Sequence, residues 1–329
     1  MQIDRFLNVA SGTIMVVTDL HGDGEAFKRC VDTFLAMREM GEADRLIFLG
    51  DIVHGYGLES EDASLTMIMR IMELRKQVGE DKVIMLLGNH EMPHIYGVSL
   101  AKGNMEFTPR FEWMLGKQRD TVIEFFKSLP LVVRTGAGVL LCHAGPDDNS
   151  INRAERLRHF DHSVLLRDAD QNLAQQSNLE EIYENYSQIS GQSYEELSRK
   201  YLAVTGRADP RYSHLMRALF IADRDHRFGV LWDFLFTQNE RGLTNAAYEL
   251  ICQRYLDTMG RGAPTEQHVC VSGHIVVPQG GYQIINERHL RLASAAHARP
   301  REEGRYLMLD TKQPIRRAED LVPHVYKMF

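Results

Sequence analysis

The sequence predicts a layered α/β fold on three observations. Short apolar runs alternate with longer amphipathic stretches, each run gives way to a polar or glycine-rich turn, and similar runs return after Val269. "TIMVVTD" (13–19), "RLIFLGD" (45–51), "KVIMLLGN" (82–89) and "GVLLCHAG" (138–145) read as buried strands. Between them, 24–40 and 59–78 have helical spacing, with Met67, Met69 and Met72 on the second as core filler. Strand–helix–strand alternation implies βαβ units and a sheet covered by helices. In such sheets functional groups collect beyond the carboxyl ends of the strands. From 151 to 228 the chain is polar and helical, and reads as a helical insertion in which Glu180, Glu181, Glu184, Glu195 and Glu196 form a solvated face. "HVCVSGHIVV", "GGYQII", "HLRLASA" and "RYLMLD" then return to strands. Without an internal repeat or a long linker, 1–329 reads as a single domain carrying the 151–228 insertion.

Bulk properties narrow the function classes. The 329 residues are 44% hydrophobic and 25% charged, as in globular proteins, and the net charge of −7 argues against nucleic acid as the main partner. No stretch reads as a membrane span or secretory signal. Cys30, Cys142, Cys252 and Cys270 are scattered without a C-x-x-C pair, and read as reduced core thiols. A cytoplasmic location is the default expectation.

The chemistry gathers where apolar runs end. Asp19, Asp51, Asn89 and His143 each follow such a run. "TDLHGD" adds His21 two residues beyond Asp19, "GNHE" adds His90, and "SGHIV" supplies His274. Each piece alone is ordinary. Together, carboxylates, an amide oxygen and imidazoles suit first-row divalent ions such as manganese, iron or zinc. Two such ions roughly 3.5–4 Å apart, sharing one carboxylate, make water acidic enough to attack phosphorus at neutral pH.

The series "DLHG", "GDIVHG", "GNHE", "HAG" and "GHIV" resembles the calcineurin-like metallophosphoesterases, and within them the serine/threonine phosphoprotein phosphatase branch. "LWDFLFTQNERG" (231–242), "GHIVVPQGGYQII" (273–285) and "LRLASAAHARP" (290–300) support that branch, and Ile275 and Val276 after His274 fit it. The resemblance implies a β-sandwich flanked by helices and a site for two divalent ions, with manganese, iron and zinc all open. It implies that Asp19 and His21 hold the first ion, Asp51 bridges, and Asn89, His143 and His274 hold the second. It further implies that His90 is the general acid and that Arg241 clamps phosphate.

One departure stands out. The family writes G-D-x-V-D-R-G, but this chain writes "GDIVHGYG", so His54 and Gly55 stand where an aspartate and an arginine are expected. The aspartate normally supports the acid histidine, which a neutral imidazole does less well. Arg153, Arg156, Arg217, Arg224 and Arg227 are available to replace the arginine, and His54 is open between an unusual ligand or acid and a wall residue. The expected activity is hydrolysis of a phosphomonoester, with a phosphoserine or phosphothreonine protein as substrate. The rivals are a small phosphoester or dinucleotide polyphosphate hydrolase and a non-catalytic phospho-ligand binding module.

Overall fold

The computed structural model describes residues 3–236 and 242–329. They divide into one compact unit of Met1–His90, Leu129–Phe160 and Val230–Phe329, and another of Glu91–Ser128 and Asp161–Gly229. In chain order the strands are β1 (Phe6–Val9), β2 (Thr13–Val17), β3 (Arg45–Phe48), β4 (Val83–Met85), the short pair β5 (Ala101–Lys102) and β6 (Met105–Glu106), β7 (Val132–Thr135), β8 (Val139–Cys142), β9 (Val269–Ser272), β10 (Tyr282–Asn286), β11 (His289–Leu292), β12 (Arg305–Asp310) and β13 (Val325–Lys327). All but β5 and β6 belong to the first unit.

Two mixed sheets build the first unit, with orders β1-β7-β8-β9-β11-β10 and β13-β12-β2-β3-β4. The neighbours β2, β3 and β4 run parallel, as do β8, β9 and β11. Ile14, Val16, Ile47, Leu49, Ile84 and Leu86 from one sheet share an apolar cluster with Val133, Leu141, Val269, Val271 and Leu290 from the other. The sheets therefore form a sandwich, as the family resemblance implied.

Alternation along β2 sends Ile14 and Val16 into that cluster, while Met15 and Val17 face away yet are equally buried. Helices cover this outer face. In α1 (Gly24–Glu39), Phe27 stacks on Phe48 of β3 at 5.9 Å, and α2 (Ser64–Val78) buries Met67, Ile68, Ile71 and Leu74. Strands buried on both faces read as unbroken apolar runs, which is why the sequence reveals them. Asp23 caps α1 by accepting a hydrogen bond from the Ala26 amide at 3.0 Å.

The second helix starts later than its spacing predicts. Residues 59–61 form a separate 3₁₀ turn, and α2 begins at Ser64. Asp62 is the reason: its carboxylate accepts from the Ser64 amide at 3.0 Å and the Gly55 amide at 3.1 Å, turning the chain between the two.

The second unit is helical apart from its β5–β6 pair, and residues 151–228 contain no strand. Tyr183, Tyr194 and Tyr212 centre an apolar cluster with Leu197, Leu202 and Leu215, and the Tyr183 and Tyr194 rings stack at 4.1 Å. The five glutamates expected on a solvated face are exposed. Arg217 pairs with Asp170, Arg224 with Asp223, and Arg227 with Asp168 and Asp225. Among the described residues, no helix is long and apolar enough to cross a membrane.

The sandwich makes a direct stability prediction. Ile47 is 0% exposed between the sheets, so Ile47→Ala is expected to destabilise by about 2–5 kcal/mol. Urea denaturation at a fixed metal concentration measures this, and a loss below about 1 kcal/mol would contradict a close-packed interior there.

Candidate metal centre

Five strands of the two sheets deliver the chemistry-bearing side chains to one place. Asp19 and His21 follow β2, Asp51 follows β3, Asn89 and His90 follow β4, His143 follows β8, and His274 follows β9. All seven are buried. The backbone that presents them is locally strained: His21, Asp51, His54 and His274 have φ of +43°, +53°, +73° and +67°. Left-handed conformations at non-glycine residues cost roughly 1–3 kcal/mol each and gather at functional sites. The approach is also close, because a Cβ added to Gly273 would collide with the Asp19 carboxylate.

Donor atoms converge in three overlapping groups, each with its atoms within 4.8 Å of one another: Asp19, His21 and His297; His21, Asp51 and His90; and Asp51, His143 and His274. Asp51 joins the two ends. Its Oδ2 lies 3.6 Å from His21 Nε2 and 3.5 Å from His143 Nε2, while its Oδ1 accepts the His90 amide at 2.9 Å. Asn89 Oδ1 lies 2.8 Å from the same His143 nitrogen.

Burial sets the protonation states. It drives the His21 imidazole down to about 3, with the neighbouring His297 ring acting in the same direction, and it lowers His143, His90 and His274 as well. Burial alone would raise Asp19, but the His297 ring beside it, with those of His143 and His21, holds that carboxyl well below its usual range. Asp19 is therefore held as a carboxylate, and burial drives the His21, His143, His90 and His274 imidazoles toward the neutral form.

Backbone carbonyls fix the tautomers. His143 Nδ1 donates to Leu49 O at 2.8 Å and His21 Nδ1 donates to Val53 O at 3.1 Å, leaving both Nε2 lone pairs directed inward. At His143 that lone pair faces oxygens of Asn89 and Asp51, so acceptors meet acceptors. Both ring nitrogens of His274 are buried without a hydrogen-bond partner. Lone pairs and carboxylates facing a common space repel unless a cation lies among them, so the residues present fit divalent ions.

His54 lies beside His90, with their Nδ1 atoms 2.9 Å apart. One proton between them satisfies both rings, so His54 is in contact with the expected acid rather than among the clustered donors. Tyr56 donates its hydroxyl to His21 Nε2 at 3.2 Å, and burial together with the Asp51 and Asp19 charges keeps that phenol protonated. Arg153 lies 3.7 Å from Asp233. Arg241 lies outside the described residues. Sequence reasoning missed Tyr56 and His297. Tyr56 follows the altered His-Gly pair, and His297 follows β11, another strand exit whose intervening residues "ASAA" mask it.

The family model for calcineurin-like phosphoesterases matches residues 12–207. No curated protein matches the chain. Among solved structures, the chain is similar to a cold-active protein-tyrosine phosphatase from a psychrophilic Shewanella species, with a TM-score of 0.50 and 14% identity over 94% of this chain and 78% of that one. A protein serine/threonine phosphatase from Saccharomyces cerevisiae gives 0.48 and 15% over 94% and 77%, and a metallophosphoesterase from Sphaerobacter thermophilus gives 0.38 and 13% over 92% and 84%. At 14% identity the likeness to the Shewanella protein speaks to the fold alone.

The turn after His143 carries a pH-sensitive group. Asp147 Oδ1 accepts from the Ser150 amide at 2.9 Å, but Oδ2 is buried without a partner. Burial, reinforced by the charge of Asp233, pushes this carboxyl up to about 6 from 3.8. Between those values the unfolded chain holds fewer protons than the folded one, so stability falls as pH rises through the window and levels off above it. Asp147→Asn keeps an oxygen for the Ser150 amide and removes the charge. It is expected to stabilise the protein by on the order of 2 kcal/mol at pH 7.5 and to be neutral near pH 4. Thermal melts across pH measure this, and an equal effect at both pH values would contradict the assignment.

Proposed function

We propose, because this chain belongs to the calcineurin-like phosphoesterase family and is a metal-dependent phosphatase, that it hydrolyses phosphomonoesters on phosphorylated proteins, with serine and threonine phosphates as the first substrates to try. The observation that carries this reading is the position of the Asp51 carboxylate, within 3.6 Å of the inward nitrogen of His21 and 3.5 Å of that of His143. A carboxylate reached from both sides by imidazole lone pairs is suited to being shared by two cations.

In this reading Asp19 and His21 would hold one divalent ion, Asn89, His143 and His274 would hold the other, and Asp51 would serve both. Manganese, iron and zinc all suit the donor set. When bound, the pair of ions acidifies water for attack on phosphorus and neutralises charge on the phosphoryl oxygens. His90 supplies the proton to the leaving oxygen, and its amide, donating to Asp51 at 2.9 Å, fixes its place relative to that carboxylate. His54 holds the His90 ring through the 2.9 Å contact between their Nδ1 atoms. As a neutral partner it supports a protonated His90 less than a carboxylate would. Arg241 is the proposed phosphate clamp. The protein named as acting on tyrosine in Shewanella adds phosphotyrosine to the substrates worth testing.

The test is manganese-dependent hydrolysis of p-nitrophenyl phosphate by the parent protein, Asp51→Asn and His54→Asp. Turnover is expected to require metal. Asp51→Asn is expected to lower it by more than the roughly 10–100-fold cost of losing a partner outside the ligand shell, and His54→Asp to raise it. No turnover with any divalent metal, or full activity in Asp51→Asn, would contradict the reading. Phosphopeptides run beside small phosphoesters and dinucleotide polyphosphates then decide the substrate class.

A further inference from the structure

We propose that His297 is a protein ligand of the first divalent ion, making that site one of two carboxylates and two imidazoles: Asp19, His21, Asp51 and His297. The inference rests on the two-ion reading above and extends it to a residue on a different strand exit.

The first support is the side chain itself. His297 is 4% exposed, and its donor atom lies within 4.8 Å of those of both Asp19 and His21. Its ring centroid is 5.0 Å from that of His21. Nδ1 stands 3.2 Å from Asp19 Oδ1, yet this nitrogen is buried and makes no hydrogen bond of acceptable geometry. A histidine serving only to support Asp19 would aim an N–H along that line. A nitrogen close to the carboxylate but off its axis is instead placed to share a third atom with it.

The second support is the backbone that brings it there. The segment from Ser294 to Ala298 is fastened to the end of β2 at several points. Thr18 N donates to Ser294 Oγ at 2.9 Å, Ser294 N returns a bond to Thr18 Oγ1 at 3.1 Å, and Ala296 N donates to Asp19 O at 3.2 Å. On the other side of His297, its carbonyl accepts from Val277 N at 2.8 Å. His297 is thus held at fixed height beside the residue it would join at the ion. Fixing a ligand through backbone bonds lowers the ordering cost of binding.

The chemical consequence is selectivity. A first site with two imidazoles is more nitrogen-rich than one completed by water, and nitrogen donors favour zinc, cobalt and iron over magnesium and calcium. Replacing the imidazole with a carboxylate moves the preference toward manganese.

Calorimetry on chelator-stripped protein, with bound ions counted by elemental analysis after gel filtration, tests this using Zn²⁺ and Mn²⁺. The parent is expected to bind two ions per chain. His297→Ala is expected to keep one ion at parental affinity and to weaken the other by roughly tenfold or more. His297→Asp is expected to regain the second ion with its zinc-to-manganese affinity ratio lowered by about tenfold, which loss of a mere supporting contact would not produce. The ion retained by His297→Ala reports that the variant is folded, and His297→Gln, closer in volume, is the second variant. Two ions at parental affinity in both His297→Ala and His297→Gln, or an unchanged zinc-to-manganese ratio in His297→Asp, would overturn the assignment of His297 alone. Fewer than two ions in the parent would instead overturn the two-ion reading and this inference with it.

Discussion

The structure turns on two carboxylates that are out of water. Asp19 and Asp51 are 0% and 1% exposed, and the imidazoles gathered around them are driven by burial toward the neutral form. Those imidazoles contribute lone pairs, not positive charge. Removing an ion from water costs several kcal/mol even after relaxation, so such a cluster is stable when cations complete it. The strained φ values at His21, Asp51 and His274 point the same way, since the backbone bends out of its preferred regions to aim these donors inward. The rest of the first unit serves to hold that arrangement. Two sheets packed face to face bring the ends of β2, β3, β4, β8, β9 and β11 together, and backbone carbonyls at Leu49 and Val53 lock the two key imidazoles in one tautomer.

The departure from the family pattern lies beside this cluster and leaves its donors in place. At positions 54 and 55 the chain has histidine and glycine, and the structure gives each a defined task. His54 meets His90, while the Gly55 amide donates to Asp62, whose carboxylate turns the chain before α2. The same stretch presents Tyr56, whose hydroxyl reaches His21. Polar groups of this loop thus reach both His21 and His90.

Much of this was legible in the sequence because buried parallel strands write themselves as apolar runs, and because donors at their carboxyl ends follow at once. Asp19, Asp51, Asn89 and His143 were found that way. The less legible parts have physical reasons. β1 (Phe6–Val9) mixes buried and exposed residues over only four positions, so no period emerges. The start of α2 depended on Asp62, a local bond that helical spacing does not register. His297 stands five residues beyond the end of β11, past a run of small residues, and only the tie between Ser294 and Thr18 reveals that it returns to Asp19.

The central claim is that two cations share Asp51. Anomalous scattering at the manganese edge, from crystals grown with Mn²⁺, tests it most directly. The expected result is two peaks roughly 3.5–4 Å apart, both in contact with the Asp51 carboxylate. A single peak, or two peaks that do not have Asp51 in common, would contradict the account.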